Sequence, residues 1–316
     1  MLLSRFNNRL GRACLLALAL TALAAPGLAA EPARTKSPAP AAGQTAVLLV
    51  TFGSTHAGAL DQMKRIEPEV RAAHPGLEVA WAYTSHQVRQ ILAKRGEAVD
   101  SPREALSKLQ SRGYNKIVVQ SLHVIPGAEF HDLVNEVRIF AHHGKGLRTA
   151  IGWPLLSDTN DLQALAGIML RAAAVGRQPD QALVWVGHGT HHPAGVAYPA
   201  LAFALVRAEP RAYLGTVEGY PSYDDVLGQL QAAGVKSVKL MPLLTVLGEH
   251  SKQDIAGDEA DSWKSRLTAA GFTVTPDLTP VAGYGGARDI WLGHLAKALG
   301  ELAAEKAEKA PKAHKK

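Results

Sequence analysis

Residues 109–117, LQSRGYNKI, return at 230–238 as LQAAGVKSV. Each copy runs on through a strand into a leucine-containing loop, SLHVIPGAEFHDL after the first and PLLTVLGEHSKQDI after the second. An earlier stretch repeats in the same order and at nearly the same offset, with VTFGSTH at 50–56 opposite VGHGTHH at 186–192. One such match would be weak; two in register make the chain two similar halves of about 130 residues, a normal domain size.

Around these anchors short apolar runs alternate with helix-length amphipathic segments. Strands are expected at 46–52, 78–83, 116–121, 149–152, 183–187, 214–218, 237–242 and 273–276. Helices are expected at 60–73, 102–112, 129–140, 161–174, 223–233, 251–269 and 291–304. Apolar strands that alternate with helices predict an α/β protein of two similar halves whose parallel sheets are covered on both faces.

The ends read differently. Arg5, Arg9 and Arg12 precede an apolar run at 13–24 and a small-residue stretch, APGLAA, at 25–30. That pattern predicts a secretory signal peptide over 1–30, too short to span a bilayer, and a periplasmic mature chain. A Pro/Ala-rich tether follows over 31–44, then lobes at 45–178 and 179–302, and a Lys-rich tail at 303–316. Of the formal net charge of +6, the signal holds three charges and the tail three, so the core between them is neutral. A nucleic-acid partner, which needs a basic face, is unsupported. The single cysteine, Cys14, lies in the signal, which excludes thiolate metal sites, cysteine nucleophiles and c-type haem attachment from the mature chain. With 47% hydrophobic and 20% charged residues, most of the chain is not disordered.

In open α/β sheets ligands bind beyond the carboxyl ends of the strands. The second half presents His188, Glu218 and His250 there, and the repeat sets Phe52, Tyr83 and Glu129 at the matching places of the first. A polar wall is therefore expected to face an aromatic wall. Two imidazoles and a carboxylate suit a borderline divalent ion such as cobalt, nickel, iron or zinc, and can also accept protons near neutral pH. Gly187, Gly189 and Gly248 are expected to let the backbone approach a bulky ligand. There is no HExxH and no P-loop, and Gly187-x-Gly189 lacks the third glycine of a dinucleotide fingerprint. His191 and His192 read as exposed or as partners that support the site residues, and His142 and His143 as part of a solvated turn. His56, His74, His86, His294 and His314 carry no context that raises them above surface residues.

The set SLHVIPGAEF, VGHGTHH, VEGYP, MPLLTVLGEH and GDEADSWKSRL resembles the sirohydrochlorin cobaltochelatases of the anaerobic pathway, class II chelatases related in fold to protoporphyrin ferrochelatase. The resemblance covers about 46–299. It implies two flavodoxin-like lobes, a tetrapyrrole cleft, no nucleotide, and Co2+ or Fe2+ held by His188, Glu218 and His250 while it enters sirohydrochlorin. This chain departs from that pattern in its export signal, its basic tail and Phe130-His131. A periplasmic tetrapyrrole, haem or metal carrier on the same scaffold is the alternative. Arg89, Lys252 and Arg288 are the cations expected near substrate carboxylates. His131, two positions after Glu129 on a helix, is expected to point away from the cleft with Phe130, where it would dock on a second subunit of a homo-oligomer or ligate a non-covalent b-type haem.

Overall fold

The computed structural model describes residues 44–144 and 146–308, with Ala57, His250 and the last four residues described by backbone alone. The expected signal peptide, nearly all of the tether and the end of the tail lie outside the described residues.

The first lobe holds β1 (Thr45–Thr51), α1 (Ala57–Lys64), α2 (Ile66–Ala73), β2 (Glu78–Tyr83), α3 (His86–Lys94), α4 (Pro102–Ser111), β3 (Lys116–Ser121), α5 (Ala128–His143) and β4 (Arg148–Gly152). Helix α6 (Thr159–Ala174) leads to the second lobe: β5 (Ala182–Gly189), α7 (Ala197–Ala208), β6 (Ala212–Glu218), α8 (Tyr223–Ala232), β7 (Ser237–Leu243), α9 (Glu249–Ala256), α10 (Trp263–Ala269) and β8 (Thr273–Pro276). Helix α11 (Gly285–Glu308) closes the described chain. The sheets run β2-β1-β3-β4 and β6-β5-β7-β8, all parallel, so the second repeats the first.

Strand alternation decides what each face buries. Val47 and Leu49 of β1, with Leu183 and Trp185 of β5, enter one core shared by both lobes. Their neighbours Ala46, Leu48 and Val50 join a separate outer core of the first lobe, and Ala182, Val184 and Val186 one of the second. Both faces of the central strands are dry, which is why they read as unbroken apolar runs. Each buried Leu or Val contributes roughly 1.5–3 kcal/mol.

The repeat extends to the caps. Ser101 and Ser222 each close a capping box, with Glu104 and Asp225 respectively, at the start of α4 and α8. Between β2 and Ser101 the first lobe carries an insertion that includes α3, which has no counterpart between β6 and Ser222.

All eight expected strands are present; several helices differ. The helix expected at 60–73 is two, α1 and α2. Pro68 cannot donate to Lys64 and its ring would clash with that carbonyl, so the helix restarts at Ile66. The helix expected at 251–269 is also two, because the chain is extended at Gly257 and Ser262 caps a new start. Helix α7, AYPALAFALVRA, is apolar nearly all round and shows no amphipathic period to read. The last helix, placed by sequence with the second lobe, packs on the first. The Trp291 indole donates to the His123 carbonyl at 3.4 Å, and the Arg148 guanidinium donates to the Leu302 carbonyl.

Candidate active site

The site begins with a backbone approach between β5 and β6. Gly189 pairs with Glu218 and has φ +85°; a Cβ there would lie 1.5 Å from the Glu218 carbonyl oxygen. Glycine is required, and the contact sets His188 beside the Glu218 turn. His188 is exposed with Nδ1 3.3 Å from the Gly189 carbonyl, and Glu218 is exposed as well. His250 is the second residue of α9, after the extended N-cap Gly248. A Cβ on Gly248 would stand 3.7 Å from Ser54 Oγ, so this helix start faces the loop after β1. Among the described residues no three His, Cys or carboxylate groups converge in a metal-holding cluster; the His250 side chain is not among them.

The two flanking glycines serve the protein's own packing, contrary to expectation. The place of a Gly187 Cβ is filled by the Tyr198 ring, 2.5 Å away, as that of Gly189 is filled by Glu218.

The first-lobe residues fall unevenly. Strand register pairs Val50 with Ser121 and Val186 with Pro242, so Phe52 is the counterpart of His188; its ring is 48% exposed at the end of β1. Glu129 is exposed and second in α5 after Gly127, as His250 is second in α9 after Gly248. Tyr83 needs correction. It pairs with Thr51, and Gly187, the counterpart of Thr51, pairs with Thr216; the match of Glu218 is therefore Ser85, two residues on. Tyr83 is 4% exposed, with its ring beneath Gly53, and burial raises its phenol pKa above the ordinary value. Ser85 caps α3 by accepting from the Val88 N–H.

His131 also departs from expectation. Its ring does not turn away from the second lobe but lies on His192, centroids 4.9 Å apart and planes 33° apart. Its Nδ1 donates to the Gly127 carbonyl at 2.9 Å, and His192 Nδ1 accepts from the Ala194 N–H at 3.1 Å. Phe130 is 2% exposed and belongs to the interior. Of the three expected cations, Arg89 donates to the Tyr83 and Thr84 carbonyls, and Arg288 is paired with Glu69 at 2.8 Å and donates to the Ala282 carbonyl. Both are occupied; Lys252 is exposed. Sequence reasoning missed Arg95, whose guanidinium donates to the Thr55 carbonyl at the loop after β1. It left Trp153 unmarked, since a lone Trp has no spacing to mark it, and favoured an exposed His192, which lies against His131.

Across the lobes Thr245 Oγ1 donates to the Leu122 carbonyl at 2.8 Å. Just beside it, burial holds the His123 ring neutral, with its pKa lowered to about 4. Nδ1 lies 2.8 Å from Ser121 Oγ, and Nε2 is buried without a partner. In the unfolded chain this ring takes up a proton near 6.5, whereas in the fold it resists until about 4. Its contribution is whole above pH ~6.5 and falls by up to about 3 kcal/mol as pH drops toward 4. Urea unfolding across that range should show a loss of stability that is shallower in His123→Asn; equal slopes would remove His123 as the cause.

A four-stranded parallel α/β sheet thus occurs twice, and in the second copy His188 and Glu218 stand at the carboxyl ends of β5 and β6, with His250 early in α9, after β7. The family model for cobalt chelatase (CbiK) matches residues 45–300, and the chain belongs to that family. It is 41% identical over 256 residues to the sirohydrochlorin cobaltochelatase CbiKC of Nitratidesulfovibrio vulgaris, covering 81% of this chain and 91% of that one. It is 34% identical over 264 residues to the sirohydrochlorin cobaltochelatase of Salmonella typhimurium, covering 83% and 98%. The sirohydrochlorin chelatase SirB of Bacillus subtilis subspecies spizizenii, solved with cobalt, superposes with TM-score 0.57 at 15% identity over 83% of this chain and 98% of that one, a likeness of fold.

Proposed function

We propose that this chain inserts Co2+ into sirohydrochlorin, with release of two protons. Membership in the cobalt chelatase family carries the reading, supported by the pairing of Gly189 with Glu218 that puts the residue after His188 against the Glu218 turn. In this proposal His188 and His250 hold the incoming ion, and the imidazoles together with Glu218 take the two pyrrole N–H protons as the metal–nitrogen bonds form. The metal is a substrate, so its ligands must release it; two imidazoles and one carboxylate on separate loops leave positions open for the macrocycle. The same donor set suits Fe2+, which we propose as a second metal giving sirohaem.

The enzyme and carrier readings part on turnover. With purified protein, sirohydrochlorin and excess Co2+, the absorbance change is expected to proceed through many equivalents per protein. A plateau at one equivalent would replace the enzyme with a carrier. For a carrier of haem, His131 offers Nε2, because Nδ1 is engaged by Gly127. For self-association, α7 offers the exposed apolar residues Phe203 and Val206, with Val196 at its N-cap. We place the activity after export, on the signal-like pattern of residues 1–30. Among the described residues no helix is long and apolar enough to cross a membrane.

A further inference from the structure

Trp153 is 47% exposed, while Trp185, Trp263 and Trp291 are 3% or less. A large ring left in water at the carboxyl end of a strand forgoes the burial that tryptophan ordinarily finds. Its backbone, however, is fixed. The Trp153 carbonyl accepts from Gln120 Nε2 and from His294 Nδ1, each at 3.0 Å. Gln120 leaves no room for a side chain at the preceding Gly152, where a Cβ would lie 1.8 Å from Gln120 Oε1. His294 is in turn held by Asp161 at 3.2 Å, and Asp161 belongs to the capping box that starts α6. On its own side the indole leans on buried Phe130, centroids 5.3 Å apart.

Phe130 contacts His131 at 5.9 Å and His131 contacts His192 at 4.9 Å, so a row of rings runs from β4 across to the loop that follows His188. Phe52, also about half exposed, directly follows β1. With strand order β2-β1-β3-β4, β1 and β4 flank β3. Two strand spacings separate them, about 10 Å, a span comparable to the width of a tetrapyrrole core.

We propose that Trp153 is a substrate-binding residue, a stacking platform for the conjugated face of the tetrapyrrole, held rigid before the ligand arrives by Gln120, His294 and Phe130. The inference rests on the proposed reading of these strand ends as a tetrapyrrole site and names a residue that would grip the ring, whereas the proposed metal ligands would grip the ion. A contact made equally in ground state and transition state changes KM and leaves kcat alone.

The test uses three variants, Trp153→Ala, Trp153→Leu and Trp153→Phe, and reads the Kd of metal-free sirohydrochlorin by its absorbance change, alongside KM and kcat for Co2+ insertion. Trp153→Ala and Trp153→Leu should raise Kd and KM about tenfold, with kcat within about twofold, and Trp153→Phe should restore most of the affinity. Should the alanine variant fail to fold, as judged by its thermal midpoint, the Leu and Phe variants decide. Wild-type affinity in Trp153→Ala, or equal affinity in the Leu and Phe variants, would overturn the platform. Because binding is read without metal, a wild-type protein that binds the macrocycle but does not insert Co2+ would defeat the chelatase proposal and leave this one standing. A wild-type protein that does not bind it would defeat this one.

Discussion

His188→Ala and His250→Ala are each expected to slow Co2+ insertion into sirohydrochlorin on the order of a thousandfold while the protein stays folded. Removing one of two imidazoles takes away a neutral donor whose geometry is set by the chain, and water replaces it without orientation. The loss should fall on kcat and on the KM for Co2+, because in the proposed reaction these imidazoles hold the ion. Glu218→Gln keeps the shape of the side chain and removes the proton acceptor; the expected loss is about a hundredfold, recovered in part at higher pH. Stability should barely change, since His188 and Glu218 are exposed and His188 makes only a 3.3 Å contact with the neighbouring Gly189 carbonyl. Insertion at the wild-type rate in either histidine variant would remove that residue from the site.

Much of this was legible because the fold is repeated. The matched segments at 109–117 and 230–238 end in β3 and β7, the strands that pair with β1 and β5, so aligning them aligned both sheets. Phe52 opposite His188 and Glu129 opposite His250 follow from that alignment, and the structure places them at equivalent strand and helix ends. Tyr83 was misplaced because the insertion that carries α3 enters directly after β2, and a match counted from sequence alone drifts there by two residues. Only the ladder, with Tyr83 on Thr51 and Thr216 on Gly187, exposes the drift. His131 was misjudged for another reason. Helical rotation relative to Glu129 says nothing about what the second lobe brings over it, and His192 arrives from a loop 61 positions away. The cations were only partly legible: Arg89 and Arg288 are engaged by backbone carbonyls and Glu69, partners that no local pattern announces, while Lys252 is exposed.

Gly189→Ala is expected to cost both the fold and the chemistry, and Gly234→Ala separates the two causes. Both glycines have positive φ, +85° and +66°, where an L side chain is strained. A Cβ at Gly234, the turn glycine of the repeated segment, meets nothing within 4 Å. Its substitution should therefore cost only the conformational penalty, about 1–2 kcal/mol, with insertion activity intact. At Gly189 the same penalty is joined by a Cβ 1.5 Å from the Glu218 carbonyl oxygen and 2.9 Å from Thr216 Cβ. A carbonyl in a parallel ladder cannot swing away as a flexible side chain can, so β5 and β6 must part at their carboxyl ends. That movement shifts the strand ends that carry His188 and Glu218 relative to each other. The expected loss is at least about 3 kcal/mol in urea unfolding, with Co2+ insertion abolished in whatever folds. If Gly189→Ala proves no less stable than Gly234→Ala and retains its rate, the glycine is not what couples the β5–β6 approach to the site. The alternative is then the expectation first drawn from sequence, that Gly189 is there to admit the ligand; in that case Kd for sirohydrochlorin rises in the variant while the unfolding curve matches that of Gly234→Ala.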